Sequence, residues 1–112
     1  MENKTMKTIL IAATALVISA FTVTAADVKE IYTKQCAKCH GEDGKGDTKM
    51  GKKAGAKDYT DAKVQAEMKD ATAFKAIKEG LKEGDKTMMK PAEGLSDDEI
   101  KGLVAHVRTF KK

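Results

Sequence analysis

The sequence predicts an all-α domain of three or more helices separated by two long irregular stretches. Three observations predict it. Apolar residues recur at helical spacing over residues 27 to 39 and again from Ile100 to Phe110. Glycines and the only proline, Pro91, interrupt the chain between those segments. No stretch alternates apolar and polar residues convincingly enough to read as a half-buried strand.

Ahead of the first helix, Lys4 and Lys7 precede an almost wholly apolar run at residues 9 to 23, "ILIAATALVISAFTV", and small residues follow it. A basic start, an apolar stretch and small residues in that order are the pattern of a secretory leader. The run falls short of the ~20 apolar residues that a membrane span needs. Val23 and Ala25 fit the positions before a cleavage site, which predicts removal of residues 1–25 and a mature domain at 26–112. A cut after Ala26 is the alternative. No cysteine lies near the cut, so no lipid anchor is expected, and the short apolar run gives no stable membrane insertion after cleavage.

The first helix is expected over residues 27 to 39, where Val28, Ile31, Tyr32 and Gln35 or Cys36 share a face with charges between. Residues 41 to 58 read as a loop punctuated by Gly41, Gly44, Gly46, Gly51 and Gly55. A short helix is expected from Asp61 to Met68 with Thr60 as its cap. The next begins after Asp70, carries Phe74 and Ile77 on one side, and stops at Gly80, which suits a left-handed position past a helix end. Residues 82 to 94, "KEGDKTMMKPAEG", form the second irregular stretch. "LSDDEI" then announces the last helix: Ser96 and Glu99 make a capping box, Leu95 and Ile100 a hydrophobic staple, and Asp97 and Asp98 favour the positive end of the helix dipole. Ile100, Leu103, Val104, Val107 and Phe110 form its apolar stripe.

The formal net charge is +4 and charged residues make up 34% of the 112. A mildly basic, heavily charged surface suits an encounter with acidic partners. It does not suit nucleic acid, because the lysines are dispersed among acids and no aromatic residues are interleaved for stacking. After loss of the leader, Val, Ile, Leu and Phe together fall under the ~20 per cent associated with disordered chains. A small domain with so thin an interior needs a staple: a disulfide, a metal or a large bound group.

Both cysteines, and one of the two histidines, lie in "YTKQCAKCHGEDGKGD", residues 32 to 47. Near a helix end, residues three apart project to one side, so Cys36 and Cys39 can present both sulfurs to one edge of a flat molecule. His40 lies about 100 degrees further round and points across that molecule's face. Cys-x-x-Cys-His is the signature of covalent haem attachment, with two thioether bonds and the histidine as proximal iron ligand. Three other readings fit less well. A disulfide between Cys36 and Cys39 closes too small a loop to stabilise much. A thioredoxin-like pair wants a βαβ context, and a zinc site would have to recruit the distant His106.

From about Asp27 to Phe110 the chain resembles the class I monohaem c-type cytochromes of the bacterial periplasm. The residues that carry the resemblance are "YTKQCAKCHGEDGKGD", "KAIKEG" at 75 to 80, "MKPAEGLSDDEI" from Met89, and "LVAHVR" from Leu103 to Arg108. The resemblance implies a class I cytochrome c fold, three to five helices around one haem c, with the first and last helices packed together. It implies a periplasmic electron carrier and not an enzyme, meeting redox partner proteins. The alternatives are a haem subunit of a periplasmic dehydrogenase complex, and a haem enzyme or sensor with a labile sixth position.

An iron that moves electrons without binding oxygen needs a second axial ligand, and methionine sulfur is a soft donor that raises the potential. Met68 falls on an expected helix and Met50 in the lysine-rich loop close after His40. Met88 and Met89 fall in the second irregular stretch, where Pro91 fixes its own backbone and pushes Lys90 towards an extended conformation. Family members carry a methionine just before a proline in the loop leading to the final helix. "MKP" matches with one intervening residue, which implies Met89. Distance from Leu95 makes Met88 the alternative.

His106 is a rival ligand in principle, but it borders the stripe of the last helix, where relatives often have an aromatic residue, so a structural role is expected. That difference also puts the usual aromatic packing between the terminal helices in question. Tyr59 and Arg108 are candidate donors to the haem propionates, although solvated polar residues explain both as well. Lys45, Lys49, Lys52, Lys53 and Lys57 concentrate positive charge in one loop, available to attract an acidic redox partner.

Overall fold

The computed structural model describes residues 23–112. Residues 1–22, which hold most of the predicted leader, lie outside the described residues. In chain order the elements are α1 (Ala25–Gln35), α2 (Ala37–His40), α3 (Lys49–Ala54), α4 (Ala62–Glu67), α5 (Asp70–Glu79), β1 (Leu81–Glu83), β2 (Lys86–Met89) and α6 (Asp97–Arg108). The domain is mostly helical, as expected, but its helices are shorter and more numerous than the three to five anticipated.

The helix expected over 27–39 is broken. Thr24 caps α1 through a reciprocal capping box with Asp27. The amide of Cys36 still bonds the Tyr32 carbonyl, but a φ of −113° at Cys36 departs from helical geometry. The chain then makes one further turn, α2, which ends at Gly41 with φ 79°. Cys36 is therefore the junction between the two helices, and Cys39 and His40 lie on the short turn of α2 that follows.

Two elements appear where loops were expected. Thr48 caps α3 by accepting from the Gly51 amide at 2.9 Å, and α3 packs on α2. Residues 81–89 form an antiparallel hairpin pairing Leu81 with Met89, Lys82 with Thr87 and Glu83 with Lys86, which leaves Met88 as the extra residue of a bulge. Its two-residue turn is Gly84-Asp85, with Gly84 at φ 60°. Elsewhere the corrections are small. Asp61, not Thr60, caps α4 by accepting from the Lys63 amide. Gly80 ends α5 with the expected positive φ of 79°, but its ψ of 179° lies outside the left-handed helical region. The Ser96 and Glu99 capping box of α6 is present on both sides.

The core is a single cluster of Val28 and Tyr32 from α1, Ile77 from α5, and Ile100, Leu103 and Val104 from α6. Gly102 lets the two terminal helices approach: a Cβ there would lie 2.6 Å from a Val28 methyl. His106 stands where an aromatic residue was expected and fills that role, with its ring 5.0 Å from Tyr32 and 5.0 Å from Phe110. Cys36, Ala37 and Met89 lie at the partly buried fringe of the same cluster. No described helix is long and apolar enough to cross a membrane.

Candidate functional site

The site is built around the turn from Cys36 to Gly46. Cys36 and Cys39 are free thiols, both half-buried. Burial, with Cys39 beside it, pushes the Cys36 thiol up to about 11, so it is held protonated at neutral pH. His40 follows at the end of α2. Burial lowers its pKa, which favours the neutral imidazole, the form that binds a metal. Its Nδ1 is buried and has no hydrogen-bond partner among the described residues. An orphaned buried ring nitrogen is costly in a protein interior unless a further group completes the site.

Several contacts hold this turn. The Gly46 amide donates to the His40 carbonyl at 2.8 Å, and the Tyr32 hydroxyl donates to the Gly41 carbonyl at 2.6 Å. The Thr48 hydroxyl reaches the Lys38 and Cys39 carbonyls at 2.8 and 2.9 Å. Gly51 must lack a side chain, because a Cβ there would run into the Cys39 carbonyl. Tyr59 lies against the imidazole, its ring centroid 5.7 Å from that of His40.

The two methionines of β2 are both half-buried and differ in their surroundings. Met89 packs on the core cluster that Cys36 and Ala37 also touch. The methyl of Met88 lies 4.0 Å from where a Gly55 Cβ would stand, beyond the end of α3. Gly80 keeps the end of β2 close to α5, since a Cβ there would lie 2.6 Å from the Met89 carbonyl, and the Ala92 amide bonds the Ile77 carbonyl at 2.8 Å. Met50 is exposed on α3 at 46% and Met68 is half-buried just past α4.

Arg108 does not face the cysteine turn. Every N–H of its guanidinium is engaged, by the Gln65 carbonyl and side chain, the Met68 carbonyl and the Asp70 carboxylate. It clamps α6 onto the junction of α4 and α5, which leaves no donor for a propionate. Gln65, 4% exposed, is a buried polar residue that the sequence pattern does not single out. Its amide donates to the Tyr59 and Val107 carbonyls at 2.7 and 2.8 Å and so fixes the segment that sets Tyr59 against His40. A tyrosine on an apolar helix stripe reads as packing, so the Tyr32 hydroxyl carries no sequence signal of its own. Gln65 leaves only a weak one, a polar residue between Val64 and Ala66 in a short helix.

The donor set fits a haem: two thiols three residues apart, a neutral imidazole directly after them with an unpartnered nitrogen, and a thioether on the neighbouring cluster. The cytochrome c family pattern matches residues 25–111. No curated protein matches at a significant level. Among solved structures, the KustC0563 c-type cytochrome superposes with a TM-score of 0.66 at 39% identity, covering 75% of this chain and 96% of that one. A tyrosine-to-phenylalanine variant of Kustc0563 superposes with a TM-score of 0.65 at 37% identity, covering 76% of this chain and 99% of that one. With the pattern spanning nearly the whole described chain, the protein belongs to the cytochrome c family, as a small monohaem member with covalently attached haem c that serves electron transfer.

Proposed function

We propose that Cys36 and Cys39 are the two thioether attachment points, that His40 is the proximal iron ligand, and that Met89 is the distal one, with Met88 as the alternative. We further propose that residues 1–25 are a cleaved leader and that the mature protein works in the periplasm as a mobile electron carrier. The observation that carries the reading is the short turn, with its cap, that holds both free thiols and a neutral, buried imidazole whose Nδ1 has no hydrogen-bond partner among the described residues. Bound there, the haem supplies a one-electron Fe(III)/Fe(II) couple.

The chain's own residues do the rest. Covalent tethering at two points prevents loss of the group, and His40 on a braced turn needs little rearrangement between oxidation states. Met89 at the edge of the core offers a soft sulfur, which favours ferrous iron. Lys49, Lys52 and Lys53 on α3, with Lys45 and Lys57 flanking it, are exposed on the element that packs directly on the cysteine turn. That positive face supports docking by an acidic redox partner, with an electron-transfer rate that falls as salt is added. Tyr59 remains the candidate donor to a propionate.

Visible spectra of periplasmic protein test the reading. Haem that stays with the polypeptide through acid-acetone extraction, and is released in a Cys36→Ala, Cys39→Ala variant, supports attachment at these residues. A Met89→Ala variant is expected to lose the methionine-to-iron charge-transfer band and to bind carbon monoxide at neutral pH, while Met88→Ala retains the band. The reverse result assigns the ligand to Met88. Ready carbon monoxide binding by the unmodified protein would contradict the carrier reading.

A further inference from the structure

We infer that Tyr32 is a positioning residue for the proximal ligand, acting through its hydroxyl and not only through its ring. The inference rests on the proposed ligation by His40. Tyr32 is 2% exposed, and a phenol in such a place must find a hydrogen-bond partner. Its partner is the Gly41 carbonyl, at 2.6 Å, one residue past His40. Burial pushes the phenol well above its ordinary range, so it remains a donor throughout the physiological pH range.

The Gly41 carbonyl also accepts from the Gly44 amide at 3.2 Å, so the two donors together fix the first peptide of the turn. On the other side of that turn the Gly46 amide holds the His40 carbonyl. Phe110, whose ring lies 5.2 Å from that of Tyr32, covers Gly44 so closely that a Cβ there would overlap it. α1 and the segment just past α6 thus grip the turn that carries the imidazole. Among the described residues, the Tyr32 hydroxyl is the side-chain hydrogen bond that α1 contributes to that grip.

The bond has an electrostatic consequence distinct from its structural one. A donor on the Gly41 carbonyl offsets the negative end of a dipole beside the ligand's turn, and a hydrogen bond in a low-dielectric interior is felt more strongly than in water. Removing the hydroxyl leaves that negative end less compensated, which favours the ferric state, and it loosens the turn that orients the imidazole plane.

The test uses the haem-loaded protein. Tyr32→Phe keeps the ring contacts to His106 and Phe110 and deletes only the donor. The expected result is a reduction potential shifted to lower values, with the same direction of shift from pH 5 to 9, and altered g values in the ferric electron paramagnetic resonance spectrum at unchanged haem content. A lowered melting temperature with unchanged potential and g values overturns the inference and leaves Tyr32 as packing. Should the phenylalanine variant fail to mature, 3-fluorotyrosine at the same position keeps the shape and strengthens the donor. It is expected to raise the potential, and no change overturns the inference. The unmodified protein separates the two readings: a ferric spectrum without low-spin histidine ligation removes His40 and the inference together, whereas that spectrum present and unmoved by either substitution removes the inference alone.

Discussion

Gln65 and His106 show how single side chains decide this fold. Gln65 is buried, yet its amide and carbonyl are occupied by the Tyr59 and Val107 carbonyls and by Arg108. Truncating it leaves buried carbonyls without donors, at about 1–3 kcal/mol for each unsatisfied group. Gln65→Ala is therefore expected to lower thermal stability by roughly 2–3 kcal/mol and to disturb the haem spectrum through Tyr59, measured by circular dichroism melts and visible absorption. Gln65→Glu, which cannot donate to two carbonyls when ionised, is expected to do no better. His106 carries a pH dependence instead. Burial, with Lys29 nearby, lowers its pKa in the folded protein. As pH falls through about 6.5, the unfolded chain takes up this proton before the folded one does, so stability is lost towards acid and is fully present above that pH. Melting temperatures between pH 5 and 7.5 are expected to rise with pH, and His106→Phe is expected to flatten the rise.

At the level of elements, the pairing of α1 with α6 turns on a glycine. Gly102 sits inside a helix, where it costs about 1 kcal/mol relative to alanine. The structure shows what offsets that cost: the Val28 side chain occupies the space that a Cβ would take. Gly102→Ala gains helix propensity but forces α1 outward, and overpacking of this kind costs about 1–3 kcal/mol. The expected net effect is destabilisation in denaturant melts, where an exposed helical Gly→Ala change would stabilise. α3 makes the same point by a different route. It lies within a stretch that reads as loop because it has no apolar stripe and contains Gly51. Its stability comes from the Thr48 cap and from contact with the Cys39 carbonyl, neither of which leaves a periodic trace. The hairpin at 81–89 was more accessible, since Gly84-Asp85 is a two-residue turn signal, but its strands are too short and too exposed to alternate.

For the whole molecule the decisive quantity is how little the chain buries by itself. The apolar core is Val28, Tyr32, Ile77, Ile100, Leu103 and Val104. Around it, Cys36 and Met89 are half-buried, and a ring nitrogen of His40 is buried without a partner among the described residues. So small a core does not offset the conformational entropy of about 90 ordered residues at roughly 1–2 kcal/mol each. The Cys36→Ala, Cys39→Ala chain without haem is therefore expected to show no cooperative melt by circular dichroism. A native-like transition in that variant would mean that protein contacts alone suffice.

Local chemistry explains what could be read directly from the chain. The spacing of Cys36, Cys39 and His40, the capping box at Ser96 and Glu99, and the stripe of α6 each depend on residues within one or two helical turns, and such patterns are visible in one dimension. The grip of the Tyr32 hydroxyl on Gly41, the diversion of Arg108 to the α4–α5 junction and the seat of His106 between Tyr32 and Phe110 depend on how the elements come together and leave no periodic trace. Tertiary packing decides them, because it chooses among side-chain roles that local propensity leaves equivalent.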